Sequence, residues 1–113
     1  MHEIGIAKGI IDIAEAKARE QNSASIQLIK VRLGDHAGVS REALEFGFEI
    51  ARQGSLAENA RLEIENIPML LSCAFCGPVS NPIRNVLLIC PQCGLPIETL
   101  SGEEIQVEYV ELE

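Results

Sequence analysis

The chain has 113 residues, enough for one small domain or for one domain carrying a minor appendage. Its 47% apolar share is ordinary for a globular protein, but only 4% is aromatic, so Ile, Leu, Val and Ala must fill the interior. A net charge of −8 argues against a general binder of nucleic-acid backbone, and no run approaches the roughly 18 apolar residues of a membrane span.

In chain order, residues 4 to 20 read as a helix. Ile4, Ala7, Ile11, Ala14 and Ala18 recur at spacings of three and four, Ile10 and Ile13 widen the stripe, and Lys8, Asp12, Glu15, Lys17 and Arg19 fall largely opposite. Asn22-Ser23 breaks this pattern, and residues 25–33 then alternate as a strand, with Ile29, Val31 and Leu33 on one face and Lys30 and Arg32 on the other. Residues 34–38 are a loop holding His36, for which an exposed side chain without a role is the default expectation. Ser40 is suited to cap a second helix over 41–53, with Leu44, Gly47, Phe48 and Ala51 as its buried stripe. Residues 61–67 alternate strictly, Leu62 and Ile64 inward, until Pro68 stops them. Residues 103–113 return to a strand, with Ile105, Val107 and Tyr109 on one face.

The expected fold class is α+β, a small three-stranded sheet with two helices on one face, plus an inserted zinc-ribbon-like module. The main domain is expected to be discontinuous, 1–67 with 97–113, and the inserted module to span 68–96. That module has a single charged residue, Arg84, and is too short to fold on buried surface alone. Residues 97–113 carry six glutamates and no base, as either a solvated strand face or an acidic docking surface.

The module holds all four cysteines, as Cys73-Ala-Phe-Cys76 and Cys90-Pro-Gln-Cys93, each pair followed by a glycine. Two residues between thiols let both sulfurs reach one ion from a tight turn, and a glycine there tolerates positive φ. Two such turns supply four thiolates in a tetrahedron, the arrangement Zn(II) prefers. Disulfides are not expected, because Met1-His2-Glu3-Ile4 lacks the features of a signal peptide and a cytoplasmic chain keeps its thiols reduced. A redox Cys-x-x-Cys needs a helix behind it and none is patterned here; a rubredoxin-like iron site is poorly served by aromatic-poor surroundings. A zinc held by four thiolates has no open position, so the site is expected to be structural, and neither a phosphate loop nor a nucleophile elbow occurs elsewhere. No enzymatic activity is expected.

His2 stands one residue from the α-amine. Chain ends fray, so a histidine there is by default without a role. Its position nevertheless permits chelation: the Met1 amine, the His2 backbone nitrogen and a His2 ring nitrogen close fused rings, and the Glu3 backbone nitrogen completes a plane. Four nitrogens in a plane suit Ni(II) or Cu(II) and exclude tetrahedral zinc.

Met1-His2-Glu3-Ile4 opening directly into a helix resembles the start of the HypA/HybF nickel metallochaperones, which serve [NiFe]-hydrogenase maturation. Val31-Arg32-Leu33-Gly34, the stretch from Gly54 to Leu62 and the two cysteine pairs resemble that family as well, in order along nearly the whole chain. The resemblance implies nickel bound through His2 with the Met1 amine and the backbone nitrogens of His2 and Glu3. It implies structural zinc on Cys73, Cys76, Cys90 and Cys93. It further implies delivery of nickel to the hydrogenase large subunit with a HypB-family GTPase, and in some members supply of urease through its accessory proteins. A ligand role for His36 is no part of the resemblance. An edge strand would permit domain exchange between two copies, as a homodimer. The alternative, from another class, is a zinc-ribbon module that binds protein or nucleic acid and carries no transition metal.

Overall fold

The structure, a computed structural model, describes residues 2–79, 90 and 92–113, and all of their side chains except those of His2 and Val79. The elements are α1 (His2–Glu20), β1 (Ile26–Gly34), α2 (Arg41–Ala51), β2 (Arg61–Ile67), β3 (Leu70–Cys73), β4 (Gly77–Val79), β5 (Glu98–Ser101) and β6 (Ile105–Leu112). They form two sheets of three strands each, ordered β2-β1-β6 and β4-β3-β5. No helix among the described residues is long and apolar enough to cross a membrane.

The first sheet is mixed. β1 and β2 run parallel, joined by a crossover through α2, and β6 closes the other side antiparallel. β1 is therefore the central strand, and Ile29, Val31 and Leu33 are buried together against Ala7, Ile11, Ala14 and Ala18 of α1 and Leu44 and Phe48 of α2. The expected α+β layering is what the chain forms. On β1's other face Lys30 reaches Glu63 across the parallel pair, 3.7 Å apart.

α2 starts where the cap chemistry requires. Ser40 is extended (φ −81°, ψ 158°), and its hydroxyl accepts the Ala43 N–H at 3.1 Å. The helix ends at Ala51, capped by Arg52, two residues before the expected end. The Arg52 guanidinium turns back to donate to the Ala60 carbonyl at 2.8 Å, which ties the helix end to the start of β2.

Two expected faces differ. Ile13 is exposed rather than part of the buried stripe, since α1 already fills its seam with Ile10, Ala14 and Ala7. Tyr109 is exposed too, while Ile105, Val107, Val110 and Leu112 pack on the core. The register explains this: Val31 faces Val107 but Lys30 faces Tyr109, so Glu108 is an extra residue, a β-bulge. A bulge shifts the alternation by one, and every side chain beyond it changes face.

Two chain crossings connect the sheets, Pro68-Met69 between β2 and β3 and Gly102 to Glu104 between β5 and β6. The loop after β1 clasps both. The Asp35 N–H donates to the Ile67 carbonyl (2.9 Å), the His36 N–H to the Gly102 carbonyl (2.7 Å) and the Gly34 N–H to the Glu104 carbonyl (2.7 Å). Ser101 Oγ donates to the Pro68 carbonyl at 2.9 Å, linking the two crossings directly. Backbone meets backbone here: a Cβ on Gly34 would collide with the Gly102 carbonyl, and one on Gly102 would lie 2.5 Å from the Met69 Cα.

Candidate metal centres

β3 and β4 are an antiparallel pair in which Cys73 faces Gly77, so Cys73-Ala-Phe-Cys76 is the turn that joins them. Gly77 takes the left-handed φ of +79° that lets the chain re-enter a strand directly after Cys76. The second pair makes a matching turn. The Gly94 N–H donates to the Cys90 carbonyl (2.8 Å), the Cys90 N–H donates to the Leu95 carbonyl (2.7 Å), and Gly94 sits at φ +75°. The turns face one another with Leu71, Cys73, Cys90 and Ile97 as a small separate core, Met69 against its edge.

The four Sγ atoms lie within 4.8 Å of one another, and Cys73 and Cys93 are 3.5 Å apart at sulfur. Tetrahedral ligation with metal–sulfur bonds of about 2.3 Å separates sulfurs by about 3.8 Å, so the cluster fits a single ion. All four cysteines are free, two buried (Cys73, Cys90) and two exposed (Cys76, Cys93). Electrostatics favour loading by a cation. The amides of Cys76 and Phe75 hold the Cys73 thiol at about 7, below its ordinary value. The neighbouring Cys93 and Cys90 thiols push Cys76 up to about 12. The Leu95 amide favours the Cys93 thiolate, but burial and the Cys73 and Cys90 thiols outweigh it and its value rises. One thiolate forms readily, at Cys73; the raised thiols of Cys76 and Cys93 give up their protons to a metal.

The Met1 amine and the His2 ring lie outside the described residues, as does Arg84. The backbone nitrogens of His2 and Glu3 stand in the first turn of α1. The first N–H groups of a helix have no intrahelical carbonyl to bond, so α1 itself does not use these two nitrogens. The turn is seated on α2 at Gly47, whose Cα side meets the Glu3–Ile4 peptide: an added Cβ would lie 2.5 Å from the Glu3 carbonyl oxygen and 3.1 Å from the Ile4 nitrogen. Sequence reading placed Gly47 in the buried stripe but gave it no site role. The available signal was a glycine in mid-helix, which costs about 1 kcal/mol against alanine, but Gly5 and Gly9 of α1 carry the same signal with nothing packed against them.

His36 is exposed and belongs to no cluster of candidate ligands; among the described residues the four cysteines form the one such group. Of the six C-terminal glutamates five are exposed. The sixth, Glu104, turns inward to accept the Gly102 N–H.

The family described as "Hydrogenase/urease nickel incorporation, metallochaperone, hypA" matches residues 1–112. The hydrogenase maturation factor HypA of Roseiflexus sp. (strain RS-1) is 39% identical over 114 residues, covering 100% of this chain and 93% of its own. That of Azotobacter vinelandii is 38% identical, covering 100% of both chains. Among solved structures, "Solution structure of HypA protein" superposes with a TM-score of 0.73 at 23% identity, covering 100% of this chain and 97% of that one. The solution structure of the Ni metallochaperone HypA from Helicobacter pylori superposes with a TM-score of 0.72 at 21% identity, covering 97% and 96%. At those identities the two structures speak for the fold. The full-length family match and the curated relatives go further: this chain belongs to the HypA family, maturation factors that act as nickel-incorporation metallochaperones rather than as catalysts.

Proposed function

We propose that this chain binds Ni(II) at its N-terminus through His2, with the Met1 amine and the backbone nitrogens of His2 and Glu3, and hands it on during maturation of [NiFe]-hydrogenase. The observation that carries this reading is the Met1-His2-Glu3 opening, which runs straight into α1 in a chain of a nickel-incorporation family. The amides of the helix start, which bond no carbonyl of their own helix, support it, because a planar nitrogen site must recruit backbone nitrogens. Such a site holds nickel by few packing contacts, so residues 1 and 2 can swing away when the metal leaves.

Cys73, Cys76, Cys90 and Cys93 would hold Zn(II), which supplies folding energy to a module whose core, among the described residues, is Leu71, Cys73, Cys90 and Ile97. Four-fold thiolate ligation leaves no position for cargo, which separates the two metals by ligand softness and geometry. We draw the division of the chain at the two crossings, with Glu98–Ser101 on the cysteine side, since β5 pairs with β3. The partners of this reading are a HypB-family GTPase and the hydrogenase large subunit, with urease accessory proteins as a second destination, in the cytoplasm.

His2→Ala, or a tag extending the N-terminus, tests it by nickel competition against a chromophoric chelator. The expected loss is about 100-fold or more, beyond what changes to supporting groups cost, with zinc content unaltered. Unchanged nickel binding would falsify the carrier model and favour a zinc module used for protein interaction alone.

A further inference from the structure

We infer that Gly47 is a positioning residue for the N-terminal nickel site: lacking a side chain, it lets α2 close on the Glu3–Ile4 peptide and hold the backbone at which the chelate ends. This inference rests on the nickel reading above and assigns α2 a part in it.

Gly47 lies mid-helix and is buried, between the buried Leu44 and Phe48. Glycine is the least favourable residue there apart from proline, and at this one the neighbouring helix fits against the missing side chain. What it fits is named. A Cβ would meet the Glu3 carbonyl oxygen at 2.5 Å, its carbon at 2.8 Å and the Ile4 nitrogen at 3.1 Å. These are backbone atoms of a packed helix, which cannot move aside as a flexible side chain can. The two glycines of α1 give the contrast, for nothing lies within 4 Å of a Cβ on Gly5 or Gly9.

The contact falls at a particular place in the chain. The Glu3 carbonyl carbon is two bonds from the Glu3 nitrogen, the last donor of the proposed plane. Three consecutive backbone nitrogens are not coplanar with a common metal in helical backbone, so chelation must turn residue 2 out of helical geometry. Peptide 3–4, seated on Gly47, is where that rotation stops. Helix starts ordinarily fray, and a frayed start offers its donors in many arrangements. Seating residue 3 removes that freedom before the metal arrives, which is how preorganisation raises affinity. Bulk at position 47 lifts the seat and returns the freedom, without touching any ligand atom.

The test uses the full chain with its zinc, in four variants: Gly47→Leu, Gly47→Ala, Gly9→Leu and His2→Ala. Nickel affinity is read by chelator competition, the ligand plane by the visible d–d band of the Ni(II) and Cu(II) complexes, and folding by thermal unfolding. Gly47→Leu should bind nickel about tenfold more weakly, with a shifted or weakened band, and Gly47→Ala about threefold more weakly. Gly9→Leu, an equal change on an open helix face, should match the unaltered chain. A folded Gly47→Leu with the original affinity and band overturns the inference. Should that variant fail to fold, Gly47→Ala decides: original affinity and band overturn it, a weaker and altered complex upholds it. Nickel binding that ignores His2→Ala sinks the nickel reading itself, whereas His2-dependent binding untouched at position 47 sinks only the role of Gly47.

Discussion

The two candidate metal centres are built in opposite ways. At the cysteine cluster every ligand is a side chain, and each sits in a turn fixed by its own hydrogen bonds, Cys73 by its pairing with Gly77 and Cys90 by its exchange with Leu95 and Gly94. At the chain start most of the proposed ligands are backbone atoms, and peptide 3–4 is seated against Gly47. The first construction can let a metal go only by coming apart; the second gives it up by turning two residues. On the proposed reading, retention and release fall to different kinds of ligand in one small chain.

The largest effect should come from breaking the retaining end. Cys90 is buried among Leu71, Cys73 and Ile97, and Cys90→Ser leaves three thiolates for one ion. So short a module cannot hold the β4-β3-β5 sheet on buried surface alone, and the lost metal free energy amounts to several kcal/mol. Amide hydrogen exchange should show protection lost over Leu70–Cys73 and Glu98–Ser101 while Ile26–Gly34 keeps it. Equal loss in both sheets would mean that the two regions fold as one unit and that the contrast drawn above is false.

Acid should strike the releasing end. Nickel there needs a neutral imidazole and a neutral amine, whose ordinary values are about 6.5 and 7.7–8.0. Protons therefore compete as pH falls through about 8, and both groups oppose the metal below about 6.5, where affinity should drop most steeply. Nickel titrations at two pH values on either side of 6.5 check this; equal affinities would exclude the imidazole and amine as ligands.

The crossing between the regions can be strained on its own. Gly102 has φ +108°, and an alanine there would add a Cβ 2.5 Å from the Met69 Cα. Gly102→Ala should destabilise by about 1–3 kcal/mol from backbone strain, with the collision adding to it. Thermal unfolding reads the cost, and an unchanged midpoint would show that the crossing yields.

The parts of the fold legible in the sequence are those with a period. The α1 seam, the β1 face of Ile29, Val31 and Leu33, and the Ser40 cap follow from spacing and local chemistry, and the structure has each. Tyr109 was misplaced because a bulge is a property of two strands, and Glu108 carries no mark of it. Four residues, Glu98–Ser101, make a strand only because β3 lies beside them. The cysteine cluster could be read because its ligands are side chains at fixed intervals. Backbone ligands have no such signature; one histidine was the visible part of the nickel proposal. The Gly34, Gly102 and Met69 stack joins residues far apart in sequence, which no period can reveal.

Glu104 offers the smallest effect and tests how firmly the crossing is tied. Its own amide and that of Gly102 hold its carboxyl below the usual 4.5, with Arg32 adding to them. A carboxylate whose value is depressed by folding stabilises the folded chain above its ordinary range and loses that contribution as pH falls through the lower, folded value. Glu104→Gln keeps the shape and removes the charge. Its unfolding midpoint should lie slightly below that of the unaltered chain at neutral pH, and the two should converge in acid, where both side chains are neutral. A gap that persists into acid would assign the effect to packing at Gly102, and the tie between the two regions would then be steric rather than electrostatic.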